Sequence, residues 1–264
     1  RLIQRGDYRP RLESMASHAF GTEVAIEGDI HLTLLPQPQL QFSKVRVGPA
    51  VAPVLTVETV AADFSLFDFL RDQYKVTRLE LDKPVVSLAV GKDGQVIAGL
   101  TLVKDAGESS VSIADADVVD GTIGLTDARS GETQQLSGVN GKLRLDALDG
   151  PFAFQGNVSI SGAGYSVRVS TGKLDAATNS TTLSLTVHQT DGGFALDSKG
   201  TLTGGATPRF AGDVSYRLPP PRAKEGETPD LARGDFVLEG KVEATTDKLL
   251  LTEYTALPDE NRSS

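Results

Sequence analysis

The side chains of this sequence that could do chemistry are a group of aspartates and three histidines. Asp115, Asp117 and Asp120-Gly121 follow the spacing D-x-D-x-x-D-G. This spacing is similar to a calcium loop, but it is one residue out of step with an EF-hand and lacks the acidic residue that ends the loop. We therefore expect no metal here and interpret the aspartates as solvated residues of turns and strand ends.

The histidines and the nucleophilic side chains form no recognisable catalytic set. His18, His31 and His188 have no partner nearby in the sequence, no G-x-S-x-G motif occurs, and there is no cysteine. A carbohydrate-acting β-sandwich enzyme is disfavoured, because the chain has no Trp and no convincing pair of carboxylates. The sequence predicts no catalytic residue, no metal, no cofactor and no enzymatic activity.

Charge and composition narrow the class of protein. The 264 residues carry 26 basic and 35 acidic side chains, a net charge of −9. This balance weighs against nucleic-acid binding and against electrostatic docking on an anionic membrane. Only 6% of residues are aromatic and 27 are Gly, so a core must be built from Val, Leu, Ile and Ala. No run of 18 apolar residues occurs, so no segment of this sequence is expected to span a membrane.

One helix is predicted near the start of the chain. Asp7 can cap its N-terminus, Pro10 suits its first turn, and Gly21 suits the position after its end. Its apolar residues recur at spacings of 4, 3 and 4 and lie on one face: Tyr8, Leu12, Met15 and Ala19. A second short helix or turn is expected within residues 65–72.

Most of the remaining sequence alternates between apolar and polar residues, as in strands with one buried face. Residues 24–34 show this clearly, with apolar side chains at nearly all even positions. Turn signals separate the later segments, at Asp93-Gly94, Asp120-Gly121, Ser130-Gly131, Asn140-Gly141 and Asp191-Gly192-Gly193. Phe152, Phe194 and Phe236, each 42 residues apart, indicate a loose repeat. The pattern predicts a mainly β protein built as an antiparallel meander.

The apolar face of this predicted sheet is larger than the predicted helix can cover. A dozen or more strands make a sheet on the order of 60 Å wide, whereas the helix is roughly 18 Å long. The sheet must therefore close on itself as a sandwich or barrel, or curl into an open trough that meets an apolar ligand. Composition alone leaves both solutions open.

Several segments give the chain a family resemblance. Residues 7–13 (DYRPRLE) are followed by 20–30 (FGTEVAIEGDI), 34–40 (LLPQPQL), 45–48 (VRVG), 76–88 (VTRLELDKPVVSL) and 92–94 (KDG). In this order they resemble the start of the AsmA family of bacterial envelope proteins. The resemblance is good over residues 7–100 and looser over 101–264, where Gly and Phe spacing and alternation support it.

The resemblance implies an elongated, curved antiparallel sheet that forms an open groove of the repeating β-groove type, with one N-terminal amphipathic helix. Residues 1–6 would follow an upstream transmembrane helix, 7–105 would hold the helix and first groove unit, and 106–218 would continue the groove. A Pro-rich loop at 219–232 would precede a further β unit at 233–264. The family is similar to bridge-like lipid transfer proteins and is implicated in moving phospholipid toward the outer membrane.

Together these observations predict a non-enzymatic phospholipid conduit in the periplasm, anchored in the bacterial inner membrane. Its expected partners are phospholipid acyl chains, the inner membrane and other envelope proteins, and no nucleic acid. The alternative is a structural or assembly-assisting envelope protein with a closed core and no lipid cargo. The expected groove lining consists of Val24, Ile26, Ile30, Leu32, Leu34, Val111, Ile113, Leu143, Leu145, Phe152, Phe154, Leu183 and Leu185. The expected membrane-proximal helix face consists of Tyr8, Leu12 and Met15.

Overall fold

A computed structural model describes residues 8–35, 37–64, 76–93, 96–97, 113–146, 150–205, 207–220 and 235–258. These residues form one helix and fifteen strands. The elements are α1 (Tyr8–Phe20), β1 (Val24–Ile26), β2 (Ile30–Thr33), β3 (Gln39–Val47), β4 (Leu55–Phe64), β5 (Val76–Val90), β6 (Val96–Ile97), β7 (Ile113–Asp127), β8 (Thr133–Leu145), β9 (Phe152–Ile160), β10 (Ala163–Thr171), β11 (Ser180–Gln189), β12 (Ala195–Thr203), β13 (Arg209–Leu218), β14 (Phe236–Ala244) and β15 (Leu249–Pro258).

The strands form one long sheet that does not close on itself. Its hydrogen-bonded order runs from β1 through β3, β4, β5 and β7, and then consecutively from β8 to β15, with β2 beside β3 and β6 beside β5. Adjacent strands are antiparallel, apart from β5 and β7, which run parallel. The predicted open β-groove architecture with one helix is confirmed, and the parallel pair is an addition that alternation could not reveal.

The predicted helix is present as α1, and Gly21 takes the left-handed conformation (φ 63°) expected just after its end. The side chains that hydrogen-bond to the sheet come from its polar side. The backbone N–H of Ile26 donates to Glu13 Oε1 at 2.7 Å, and that of Val24 donates to Ser17 Oγ at 2.8 Å. Arg9 donates to the carbonyl of Ile26 and, at 2.7 Å, to that of Gly28. The helix thereby satisfies the free backbone edge of β1, which would otherwise be open to pairing with another strand.

Removing one of these caps is expected to expose the β1 edge. In Glu13→Ala the N–H of Ile26 loses a charged acceptor, a bond worth about 1.5–3 kcal/mol. We expect amide hydrogen exchange at Ile26 to speed up by at least about tenfold. Glu13→Gln keeps an acceptor oxygen and should stay close to the parent rate. Unchanged exchange in the alanine variant would show that α1 does not protect this edge.

A line of left-handed residues crosses the sheet and changes which side chains share a face. Lys44 in β3, Lys83 in β5 and Asp120 in β7 have φ values of 54°, 48° and 50°. Lys44 and Lys83 both lie opposite the position between Val57 and Thr59 of β4. Lys83 is level with Asp120, because the preceding residues, Asp82 and Val119, are paired. A residue in this conformation interrupts the regular pleat of the strand. Side chains beyond it therefore point to the opposite face from the one that strict alternation predicts.

The effect is clearest in β5, where the more buried positions change parity along the strand. Leu79 and Leu81 lie on the less exposed face before Lys83, and Pro84 and Val86 lie on it afterwards. The same interruption explains why two predicted turns are wrong. Asp120-Gly121 and Asn140-Gly141 lie inside β7 and β8, where the N–H of Asp120 donates to Asn140 Oδ1 at 2.9 Å. The turn signals at 130–131 and 191–193 do connect strands.

The alternating segment 24–34 forms two short strands, β1 and β2, rather than one continuous strand. Both strands pair with β3, and the residues between them pass close to the backbone of β3. At Gly28 an added Cβ would lie 2.6 Å from the carbonyl oxygen of Ser43, so only glycine fits that crossing. The short helix expected at 65–72 and most of the Pro-rich loop at 219–232 lie outside the described residues.

No second layer covers the sheet within the described parts of the chain. The substantial contacts between elements join neighbours in the sheet, or α1 to β1. Fully buried apolar side chains are concentrated at the N-terminal end, where they form a small core: Val24, Ile26, Val47, Val54, Val57, Ala62 and Phe64. From β10 to β15 the strands have half-buried and exposed side chains. The closed sandwich is therefore not formed by these elements.

Candidate functional site

The strand register aligns most apolar side chains of β8 to β14 in rows on one face, together with a few Ser, Thr and Gly residues. Directly paired residues on adjacent strands project from the same face. One row joins Leu143, Phe154, Val169, Leu185, Ser198, Val214 and Gly240. In the next row, Leu145 of β8 pairs with Phe152 of β9. On β10 to β14, the residues that pair in turn are Thr171, Leu183, Gly200, Gly212 and Val242. We call this surface the apolar face.

Six of the residues expected to line a groove thus lie together in two adjacent rows: Leu143, Leu145, Phe152, Phe154, Leu183 and Leu185. All six are half-buried rather than buried, as expected for side chains that neighbouring strands flank and no layer covers. Their placement is that of a groove wall, and their contact with lipid stays a prediction. Ile113 pairs with Leu145 through its backbone, and Val111 lies outside the described residues.

The expected lining residues near the N-terminus are placed differently from one another. Val24 and Ile26 are only 6% and 7% exposed, because they belong to the small core beside α1. Ile30 and Leu32 pair with Phe42 and Leu40, and Leu32 remains 39% exposed. Leu34 follows β2 and is 46% exposed. The expected lining at the N-terminal end therefore includes two buried residues and two exposed ones.

Of the expected membrane-proximal helix face, Leu12 is half-buried and Met15 is 63% exposed. Tyr8 begins α1. The side-chain hydrogen bonds from α1 to the sheet come from Arg9, Glu13 and Ser17, and Met15 is exposed. No helix among the described residues combines the length and the apolar character needed to cross a bilayer.

Paired glycines bring neighbouring strands close together on the apolar face, as in a sheet that bends toward that face. Gly200 is opposite Gly212, and Gly141 is opposite Gly156. An added Cβ at Gly200 would lie 2.2 Å from the carbonyl oxygen of Ala211, and one at Gly156 would lie 2.1 Å from that of Asn140. Side chains are excluded there because the concave side of a bent sheet brings neighbouring strands together.

An aromatic cluster lies on the same face. Phe194 lies 5.7 Å from Tyr165 of β10 and 5.6 Å from Tyr216 of β13, measured between ring centroids. The cluster links β10 and β13, which are three strands apart in the sheet. Sequence reasoning placed Tyr165 in an alternating strand and Phe194 in the repeat, but the register was needed to bring them together.

The opposite face of the sheet is polar and carries ion pairs. Asp117 of β7 accepts a hydrogen bond from Arg78 of β5 at 2.6 Å and lies 3.1 Å from Lys142 of β8. These two cations, Arg78 first, lower the pKa of Asp117. The aspartates of the calcium-like spacing thus hold neighbouring strands together, and no group of metal-ligating side chains occurs in the described residues.

A depression on the polar face lies between β11 and β15. Its volume is about 670 Å³, and most of its lining is polar or charged, including Asp197, Lys199 and Lys241, although it also reaches Leu185 and Val214. A twisted sheet is saddle-shaped, so a depression on the polar face is compatible with curvature toward the apolar face. Its lining suits solvent rather than acyl chains.

The turn between β7 and β8 is held by a tight ion pair. Arg129 donates to Asp127 from Nε at 2.9 Å and from Nη2 at 2.6 Å, and the backbone N–H of Arg129 donates to the same carboxylate at 2.8 Å. The side-chain bonds from Arg129, followed by its backbone bond, lower the pKa of Asp127 to about 2.

This shift predicts an acid dependence of stability. The unfolded chain has an Asp pKa of about 3.9, so the ionised Asp127 stabilises the fold above that value. This contribution is lost as the pH falls toward about 2. Asp127→Asn should therefore lower the urea midpoint by a constant amount from pH 5 to pH 8, and the difference should shrink below about pH 4. A difference that does not change with pH would contradict the assignment.

Comparison with known proteins identifies the family of this chain. The model of the AsmA family matches residues 1–189. Neither the curated proteins nor the solved structures contain a match to this chain.

Proposed function

This chain belongs to the AsmA family, and from that premise we propose that it is a non-enzymatic conduit for phospholipid in the bacterial envelope. The acyl chains would lie along the apolar face between β8 and β14, and the headgroups would stay in water at the open side. The proposed location is the periplasm, with an inner-membrane anchor in the full-length protein. Phospholipid would move between the inner and the outer membrane and so support maintenance of the outer membrane.

One observation carries the proposal: apolar side chains on one face recur across the seven strands β8 to β14, interspersed with a few Ser, Thr and Gly residues, and no described element covers them. An uncovered surface of this kind is costly in water unless an apolar partner occupies it. An acyl chain is such a partner, because moving lipid through water exposes its tails at about 0.8 kcal/mol per CH₂. Sixteen carbons then cost on the order of 12 kcal/mol, which a continuous apolar wall would largely remove.

Catalysis plays no part in this proposal. Binding and sliding of acyl chains need period-2 apolar rows and a curved surface, and neither needs a nucleophile or a general base. The perturbed aspartates Asp117 and Asp127 have their pKa values lowered by structural ion pairs, which is the usual consequence of a salt bridge.

Native mass spectrometry of the detergent-free protein tests the proposal. We expect a population with added mass equal to one or more phospholipids, and lipid extraction should return phospholipid in near-stoichiometric amount. The delipidated protein should take up a fluorescent phospholipid from vesicles. Absence of bound lipid together with absence of uptake would overturn the proposal and favour a structural role in the envelope.

A further inference from the structure

Arg129 makes a contact between two parts of the sheet that are far apart in strand order. Its Nη1 forms an ion pair with Asp247, and its Nη2 donates to the carbonyl oxygen of Thr246 at 3.0 Å. Arg129 lies in the turn between β7 and β8, and Asp247 lies in the turn between β14 and β15. Five strands of the sheet, β9 to β13, separate these two hairpins.

The two turns lie on opposite long edges of the sheet. Consecutive antiparallel strands reverse direction, so successive turns alternate between the edges. The β7–β8 turn shares its edge with the β9–β10 and β11–β12 turns, and the β14–β15 turn shares the other edge with the β10–β11 and β12–β13 turns. The contact therefore joins the two edges, which requires the intervening sheet to coil.

Both turns hold their contacting groups in place. Asp127 fixes the guanidinium of Arg129 through the bonds described above, and the N–H of Ala128 donates to the carbonyl of Val90 at 2.8 Å. In the other turn, the N–H groups of Asp247 and Lys248 donate to Thr245 Oγ1 at 3.4 and 3.1 Å. Because each side is ordered locally, the contact costs little additional side-chain entropy.

We propose that Arg129 and Asp247 form a clasp that holds the two long edges of the sheet together, and that acyl chains enter the β8–β14 stretch from the side only when it opens. This inference rests on the proposed function. Within the described residues, the edges are joined here by one ion pair and one hydrogen bond to a carbonyl rather than by a ladder of backbone bonds.

The clasp is held by a weak, partly exposed ion pair. Asp247 is largely exposed, and Arg129 is about a quarter exposed. An exposed ion pair is weak and is screened by salt. Opening therefore needs no unfolding of a strand, since the sheet's own hydrogen bonds remain intact on both sides of the gap.

Distance measurements between the edges test the clasp directly. The chain has no cysteine, so Ser130→Cys and Lys248→Cys place one spin label on each turn without further changes. We expect a short, narrow distance distribution in the labelled parent. Adding Asp247→Lys, which puts two cations face to face, should lengthen and broaden it, and high salt should shift the parent in the same direction.

Arg209→Glu is the matched control. Arg209 and Glu243 form an ion pair at 2.8 Å between the adjacent strands β13 and β14, so breaking it should leave the distance between edges unchanged. If Asp247→Lys leaves the distribution as it is in the parent, or if Arg209→Glu changes it equally, the clasp is overturned.

Lipid uptake separates failure of the clasp from failure of the proposed function. With a fluorescent phospholipid in neutral vesicles, Asp247→Lys should take up lipid about fivefold faster than the parent, the scale of one exposed ion pair. Uptake by neither protein would overturn the proposed function, and the distance result would still decide whether the clasp exists. Equal uptake by both would overturn the role of the clasp in entry.

Discussion

Replacing Leu185 with aspartate is expected to abolish phospholipid binding while the protein still folds. Leu185 lies at the centre of the apolar face, opposite Val169 on one side and Ser198 on the other. A carboxylate there would have to lose its water to contact an acyl chain, which costs several kcal/mol for an unpaired charge. We expect at least a hundredfold loss of bound lipid, measured by native mass spectrometry and by vesicle uptake.

The same strand supplies the control. His188 of β11 is exposed and alternates to the opposite face of the sheet from Leu185. His188→Asp introduces the same carboxylate on the polar side and should bind lipid like the parent. Because Leu185 is half-buried and not part of a closed core, circular dichroism should show the parent's strand content in both variants. Equal lipid binding by both variants would remove the apolar face as the binding surface.

Replacing Gly200 with alanine is expected to destabilise the fold strongly. The added Cβ would meet the carbonyl oxygen of Ala211 at 2.2 Å and Gly212 Cα at 2.6 Å. Backbone atoms on the neighbouring strand cannot rotate away as a side chain would, so β12 and β13 must separate. We expect a loss of about 2–4 kcal/mol in the free energy of unfolding, together with weaker lipid binding because the sheet flattens.

Gly124 offers a glycine control with the opposite expected sign. An added Cβ there has its nearest contact at 3.9 Å, the carbonyl oxygen of Val86. Gly124→Ala should therefore be neutral or stabilising by up to about 1 kcal/mol, because it restricts the unfolded chain. Urea unfolding of the two variants compares them. If Gly200→Ala is as stable as Gly124→Ala, the curvature does not depend on the paired glycines.

The proposed function as a lipid conduit depends on the open sheet more than on any single residue. A closed core would have hidden the apolar rows, and the structural alternative from the sequence required such a core. The described elements pack only against sheet neighbours, with α1 on the β1 edge. The remaining form of that alternative is an open envelope protein without cargo, which the lipid assays distinguish from a conduit.

Alternation predicted that each strand has an apolar side. It did not predict which apolar residues of β3 to β8 lie on the same face of the sheet. A strict period of two would place Leu81 and Pro84 on opposite faces. The left-handed Lys83 between them restores both to the less exposed side. Asp120-Gly121 and Asn140-Gly141 look like turn signals for the same reason, because residues that tolerate positive φ serve both turns and bulges. Local sequence does not distinguish the two uses.

By itself, the sequence determined the fold class, the position of α1, the alternating apolar residues of the strands and the family, because these depend on local periodicity and on short segments. Tertiary structure alone decided the parallel pairing of β5 and β7, the glycine-to-glycine crossings, the aromatic cluster and the meeting of Arg129 with Asp247. These features depend on register and coiling summed over many strands. A turn signal in the sequence indicates where the chain reverses direction. Which distant turn it then contacts depends on the twist accumulated over all the strands between them.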